Sequence, residues 1–220
     1  MKTFKKIKSN NLYFFNFFIK KNKSPLIENY RYVNYTESSA QSLRIIIKSV
    51  KSKNKKVNIL IPFLFCGITI KKFESEKVNI YFYNLNSDLT PDYEYISKNY
   101  SNIKFDLFVL VHYFGYVSKS LQLNANEFCS KNKTSLIEDC AHIVSPKVAN
   151  KWFGDFLLFS PHKFINTPSV GVLYSKNHKL KPLFEKSKFP FKWMMLYIFK
   201  SILPLVILQT KLKNISNKNI

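Results

Sequence analysis

The apolar residues of this 220-residue chain follow two rhythms. Short continuous runs, Val57 to Ile61 and Phe105 to Val111, read as strands buried on both faces, because a strand covered by helices on either side has no solvent-facing alternate positions. Val78 to Tyr83 alternates loosely and reads as another strand. Thr134 to Ile137 and the run that ends at Ser160 have the same character. Between them the spacing becomes helical. Tyr35 to Ser52 reads as a loop and then a helix, with Thr36 and Ser38 as N-caps and Leu43, Ile46, Ile47 and Val50 on one face. A short helix over Pro91 to Lys98 is opened by Thr90-Pro91, and a longer one covers Leu121 to Lys131. Strands alternating with helices in this way predict an α/β fold with a mostly parallel sheet flanked by helices and right-handed crossovers.

In such sheets ligands sit at the carboxyl ends of the strands. The chemistry-bearing residues of Thr134 to Tyr174 fall there: Glu138, Asp139 and His142 after one run, Ser160 and Lys163 after the next. A carboxylate at one strand mouth and a serine/lysine pair at another suit pyridoxal phosphate. The carboxylate keeps the ring nitrogen protonated, the lysine forms the Schiff base and the hydroxyl takes a phosphate oxygen. Lys163 lies between Ser160 and the apolar Phe164-Ile165, a setting expected to strip water from its ammonium. The helix that starts near Ser38 and Ser39 offers backbone N–H groups and hydroxyls to an anion.

These words resemble the DegT/StrS-type sugar aminotransferases, pyridoxal-phosphate enzymes of the aspartate aminotransferase fold. The resemblance is carried by IEDCAH (137 to 142), FGDFLLFSPHK (153 to 163) and GVLY (171 to 174). Weaker matches are SSAQSL (38 to 43), ILIPFLFCG (59 to 67) and VLVHYFG (109 to 115). It implies the large domain of a fold type I pyridoxal 5'-phosphate enzyme, with Lys163 and Asp139 catalytic and Ser38, Ser39, His142 and Ser160 as further cofactor contacts. It implies His142 near the ring's phenolic oxygen or its face, and a supporting place for His112. His162 reads as a surface or second-layer neighbour. Where the family has an aromatic residue stacked on the ring this chain has Cys66, leaving Phe63 and Phe65 to pack in the core. Ser39 stands where the family tends to have glycine. The implied reaction moves an amino group from glutamate or glutamine to a keto sugar, nucleotide-linked, in making surface polysaccharide, in a homodimer that completes the pocket. The family's dehydratase branch has histidine in place of the Schiff-base lysine, so Lys163 argues against it.

Composition alters this picture little. The formal charge of +22 invites a nucleic-acid or anionic-membrane partner. The lysines, however, accompany abundant Asn, Ile, Tyr and Phe, so a solvated surface and no specific nucleic acid are expected. Cys66, Cys129 and Cys140 lack any metal or disulfide spacing and read as reduced, mostly buried thiols of a cytoplasmic protein, with no metal. The four glycines all fall inside matching words, where backbone geometry is expected to demand them. Residues 1 to 34 read as a basic, aromatic arm, 35 to 185 as the cofactor-binding domain, and 186 to 220 as an apolar helix and basic tail in place of the family's smaller C-terminal domain. The stretch 189 to 208 reads as a packing or dimer helix, with a membrane-surface helix or a span as alternatives. Those termini keep open a second function, that of a catalytically silent homologue serving as a binding or membrane-surface module.

Overall fold

A computed structural model describes residues 27–50, 56–74, 76–165, 170–177 and 179–180. Seven strands form one sheet: β1 (Tyr32–Thr36), β2 (Val57–Pro62), β3 (Val78–Tyr83), β4 (Leu107–Val111), β5 (Ser135–Cys140), β6 (Phe156–Phe159) and β7 (Gly171–Ser175), in the order β1-β7-β6-β5-β4-β2-β3. β2 through β6 pair in parallel, while β7 runs antiparallel to both β6 and β1. Among the described residues four α-helices connect the strands: α1 (Ser39–Val50), α2 (Gly67–Phe73), α3 (Tyr93–Tyr100) and α4 (Lys119–Asn132). The mostly parallel, helix-flanked α/β architecture expected from the run pattern is therefore present.

Side chains alternate across a strand, so each central strand feeds two cores. Ile59, Ile61, Leu107, Val109, Ile137, Leu158 and Leu173 pack with Leu43, Ile46 and Ile47 of α1. The residues between them, Leu60, Phe108, Leu110 and Leu136, pack with Ile96 of α3 and with Leu121 and Ala125 of α4. β4 is buried at all five positions, which is why it shows as an unbroken apolar run.

Several expectations needed correction. The expected arm boundary at residue 34 falls inside β1, whose Tyr32 to Thr36 pair with Ser175 to Gly171, and Tyr30 is buried with its hydroxyl donating to the Gly154 carbonyl at 2.5 Å. β1 is a half-buried edge strand with a polar centre, so it lacks the apolar run that marks the others. α3 starts two residues beyond the expected Pro91, which instead bridges Leu85, and Asp92 caps the helix by accepting the Tyr95 amide at 2.8 Å. β5 continues past Ile137 to Cys140 and carries both carboxylates within the strand. Phe63 is exposed rather than in the core, touching Phe82 edge-on, whereas Phe65 packs against the core as expected. All three cysteines are free, but Cys66 is exposed. Residues 1–26 and 186–220, and with them the helix expected at 189–208, lie outside the described residues. No helix among the described residues is long and apolar enough to cross a membrane.

The glycines divide. A Cβ on Gly171 would lie 2.5 Å from the Ser38 carbonyl carbon and 2.5 Å from Thr36 Oγ1, so β7 lies flush against the turn that opens α1. A Cβ on Gly67, by contrast, would meet nothing within 4 Å, contrary to the expectation that every glycine is sterically required. Gly171→Ala should therefore destabilise the fold by about 2–3 kcal/mol, while Gly67→Ala, at the start of α2, should stabilise it by about 0.5–1 kcal/mol. Urea unfolding of the two variants checks the contrast, and equal effects would contradict the packing described.

Candidate active site

The parity of the strands decides which side chains can meet. Ile137 and Leu158 face α1, so Asp139 and Ser160, two residues further along β5 and just beyond β6, project toward the same face at the carboxyl end. The α1 helix follows the carboxyl end of β1, so its N-terminus opens at this edge. There Ser38 Oγ accepts the Gln41 amide at 3.2 Å, and the Ser38 carbonyl accepts from the Ser42 amide at 3.0 Å and from Thr36 Oγ1 at 2.9 Å. Ser38 thus spends its hydroxyl on the cap expected of it, and Ser39 is the first residue of the helix.

Asp139 keeps some solvent contact, but burial pushes its carboxyl pKa up, against the pull of the Ala141 amide, Lys163, His142 and His112. Its Oδ1 accepts the Ala141 amide at 2.9 Å. Ser160 is completely buried and its hydroxyl has no hydrogen-bond partner among the described residues. The chain then makes a single 3₁₀ turn, Pro161–Lys163, closed by the Lys163 amide on the Ser160 carbonyl at 3.1 Å. Lys163 is exposed, so the apolar neighbours Phe164 and Ile165 do not seal it from water as the sequence suggested. Its charge nevertheless reaches the site. It opposes the rise of the Asp139 pKa, adds to the burial that lowers that of His142, and assists the Thr69 amide in lowering the Cys66 thiol. His142 is exposed at the β5 exit. His162 bonds the Val170 carbonyl at 2.9 Å, a loop-closing contact.

Cys66 stands at the mouth of β2 as the N-cap residue of α2, in an exposed position. The β4 exit is more constrained: Phe114 and Gly115 both have positive φ, and a Cβ on Gly115 would lie 2.5 Å from the His142 carbonyl oxygen. Tyr113 donates from its hydroxyl to the Leu64 carbonyl at 2.8 Å, tying this loop to the one after β2.

Sequence reasoning missed the most heavily bonded group in the region. Glu138 is fully buried on the other face of the sheet, where Oε2 meets His112 Nε2 at 2.7 Å and accepts Gln122 Nε2 at 2.8 Å. Its Oε1 accepts the Phe153 amide at 2.8 Å and the Gly154 amide at 2.6 Å. Burial alone would raise its pKa, but His112, Gln122 and Gly154 more than offset that, leaving it below the ordinary glutamate value. The signal was available: in a strand, the neighbour of a residue facing one core faces the other.

Solved structures share this arrangement of strands. PseC of Helicobacter pylori, an aminotransferase involved in the biosynthesis of pseudoaminic acid, superposes with TM-score 0.57 at 17% identity, over 71% of this chain and 47% of that one. NtdA of Bacillus subtilis with bound cofactor PMP gives TM-score 0.57 at 16% identity, over 68% and 34%. The histidinol-phosphate aminotransferase of Clostridium acetobutylicum gives 0.51 at 17%, over 66% and 45%. The fold is the one these solved structures share. No family model matches the sequence, and no curated protein does. The chain spans less than half the length of each of these three structures.

Burial of the Asp139 carboxyl makes the stability of this fold depend on pH. A carboxyl whose folded pKa exceeds its unfolded one costs stability at any pH above the folded value, and nothing below the unfolded value near 3.8. Asp139→Asn keeps an oxygen for the Ala141 amide and removes the charge. Thermal unfolding without ligand should move up at neutral pH, on a scale of about 2–4 °C per kcal/mol for a chain of this size, and the gain should vanish in acid. A lower midpoint at neutral pH would contradict the burial described.

Proposed function

We propose that this chain is the cofactor-binding part of a pyridoxal-phosphate-dependent aminotransferase that passes an amino group from glutamate or glutamine to a keto sugar, nucleotide-linked, in surface polysaccharide synthesis. One observation carries the reading. The buried Ser160 hydroxyl has no partner among the described residues and shares its face and sheet edge with Asp139 and the N-terminus of α1. A buried hydroxyl left unbonded costs about 1–3 kcal/mol, so a fold that keeps one at a sheet mouth has a use for it. A phosphate oxygen would use it, and the positive end of α1 favours that charge. The residues present therefore fit pyridoxal phosphate. PseC and the histidinol-phosphate aminotransferase, both aminotransferases, support the reaction class, the PMP bound to NtdA supports the cofactor, and the words around Asp139 and Lys163 support the sugar substrate.

Each residue's part follows from its charge and place. Asp139, a half-buried carboxylate with one oxygen on the Ala141 amide, would hold a proton on the ring nitrogen, and that positive partner would offset its burial. Pyridoxal phosphate held this way supplies an electron sink for the carbon of the amino donor that loses its proton. Lys163, on the short turn after β6, would attach the cofactor and then carry that proton as base and acid. His142, largely neutral at pH 7 because burial and Lys163 lower its pKa, would lie against the ring. Ser38 and Ser39 would frame the phosphate end, with Ser39 contributing its backbone at the first turn of α1.

The homodimer reading is supported by Phe63, Leu64, Ile68, Phe114 and Tyr116, large apolar side chains exposed along the exits of β2 and β4. Light scattering at micromolar concentration should find twice the chain mass, and a stable monomer would remove this part of the proposal.

The reaction itself is tested at Lys163. Borohydride added to protein with pyridoxal phosphate should fix the cofactor on the peptide containing Lys163, and Lys163→Ala should abolish both the fixation and the visible absorption band. Labelling scattered over many lysines would instead favour the silent binding module that the basic termini keep open.

A further inference from the structure

Glu138 and Asp139 are consecutive residues of β5, and the strand sends them to opposite faces. Asp139 lies on the proposed cofactor side, and Glu138 touches nothing there. A carboxylate is costly to bury, and apolar replacements at such positions are often neutral or stabilising. The four bonds to Glu138 offset this cost with donors from three separate elements: His112 at the β4 exit, Gln122 on α4, and the Phe153 and Gly154 amides before β6. His112 also donates its backbone amide to the Asp139 carbonyl at 3.1 Å, so the imidazole held by Glu138 belongs to a residue bonded to Asp139 itself. Trp152 meets the His112 ring edge-on, 5.6 Å between centroids, and its indole is fixed by the Pro146 carbonyl at 2.8 Å. Gly154 completes the seat, since a Cβ there would lie 3.0 Å from Glu138 Cγ. Every donor is aimed at an acceptor-only group; an amide at residue 138 would turn an N–H toward Gln122 and His112.

We propose that Glu138 is a positioning residue of the site: an ionised carboxylate on the far face of the sheet, whose bonds to His112, Gln122 and the Phe153–Gly154 amides fix the direction in which Asp139 leaves β5. The Asp139 role rests on the function proposed above, but the mechanical coupling does not. Glu138 does not touch the cofactor; it acts through the strand it shares with Asp139 and through His112.

A charge relocation separates positioning from packing. Glu138→Gln should lower the unfolding temperature and weaken pyridoxal phosphate binding by about tenfold or more, the scale on which residues supporting a site act. Combining it with Gln122→Glu returns a carboxylate to the same cavity, now carried by α4, so the unfolding temperature should recover. Affinity and the wavelength of the cofactor band should stay displaced, because β5 is no longer the strand held. His112→Gln, which keeps an amide donor for Glu138, provides a second variant should Glu138→Gln not fold, and should weaken binding by a similar factor. The readout without cofactor is the carboxyl carbon resonance of Asp139 in selectively labelled protein, expected to move in the relocated double variant and in His112→Gln. An unmoved resonance in folded variants, or affinity recovering together with stability, overturns the proposal. Wild-type protein that binds no pyridoxal phosphate instead removes the function reading, and the Asp139 resonance still decides the coupling.

Discussion

The two-residue period of β5 is the constraint from which the rest of this region follows. One strand delivers adjacent carboxylates to opposite sides of a sheet that is buried on both. Each meets a different environment: Glu138 meets four donors and is held ionised, while Asp139 meets one amide and is pushed toward protonation. Opposed environments for neighbouring acids divide the labour, one group holding the fold and the other left in need of a positive partner. A shift of pairing register by one residue would exchange the two, so the fully buried partners of β5, Val109 on β4 and Phe156 on β6, fix the chemistry along with the fold.

The antiparallel β7 has a related part. Its first residue, Gly171, sits opposite Thr36 and against the Ser38 backbone, so this strand, between β1 and β6 in the sheet, also sets the turn that opens α1. The proposed phosphate end of the site is thereby fastened to β7, and the ring end to β5. β6 lies between them and contributes the buried hydroxyl of Ser160. These positions come from different parts of the chain and converge because strand exits in a parallel sheet share one edge.

What was legible in the sequence follows from burial. β2 and β4 are nearly or wholly buried and show as apolar runs, and α1 shows its apolar stripe, so the fold class could be read directly. β1 has one hydrogen-bonded neighbour and a polar centre, which makes it look like arm or loop. The placement of Asp139, Ser160 and Lys163 at the carboxyl ends of neighbouring strands was legible because strand exits are predictable once the runs are. The side taken by Glu138 follows from the same two-residue period and His112 was expected in a supporting place, but the bond between them was not legible, because a polar residue in or beside an apolar run shows no partner until the fold brings one to it. Gln122, the decisive partner, lies on a helix whose apolar stripe gives no hint of a buried amide. The exposure of Phe63 and Cys66 was likewise invisible, since it depends on whether anything covers the exit of β2.

Lys163 shows how far the described part of the chain reaches. Its backbone is fixed by the turn after Ser160, and its charge is felt by Asp139, His142 and Cys66, but its side chain remains in water. An amine that is to attack a carbonyl near neutral pH needs that water removed. The sheet supplies the floor: a carboxylate, a hydroxyl and a helix terminus on one face. It supplies no cover, and the loops around the opening present apolar side chains outward at Phe63, Leu64, Phe114 and Tyr116. The bulky Phe114 is even held in a left-handed backbone conformation, a strained state that persists only where neighbouring contacts over-determine it. Those contacts are present, in the Tyr113 bond to the loop after β2 and the closeness of Gly115 to the His142 carbonyl. Floor and rim are thus both ordered among the described residues, and under the proposed function the exclusion of water from Lys163 would fall to whatever seats on that apolar rim.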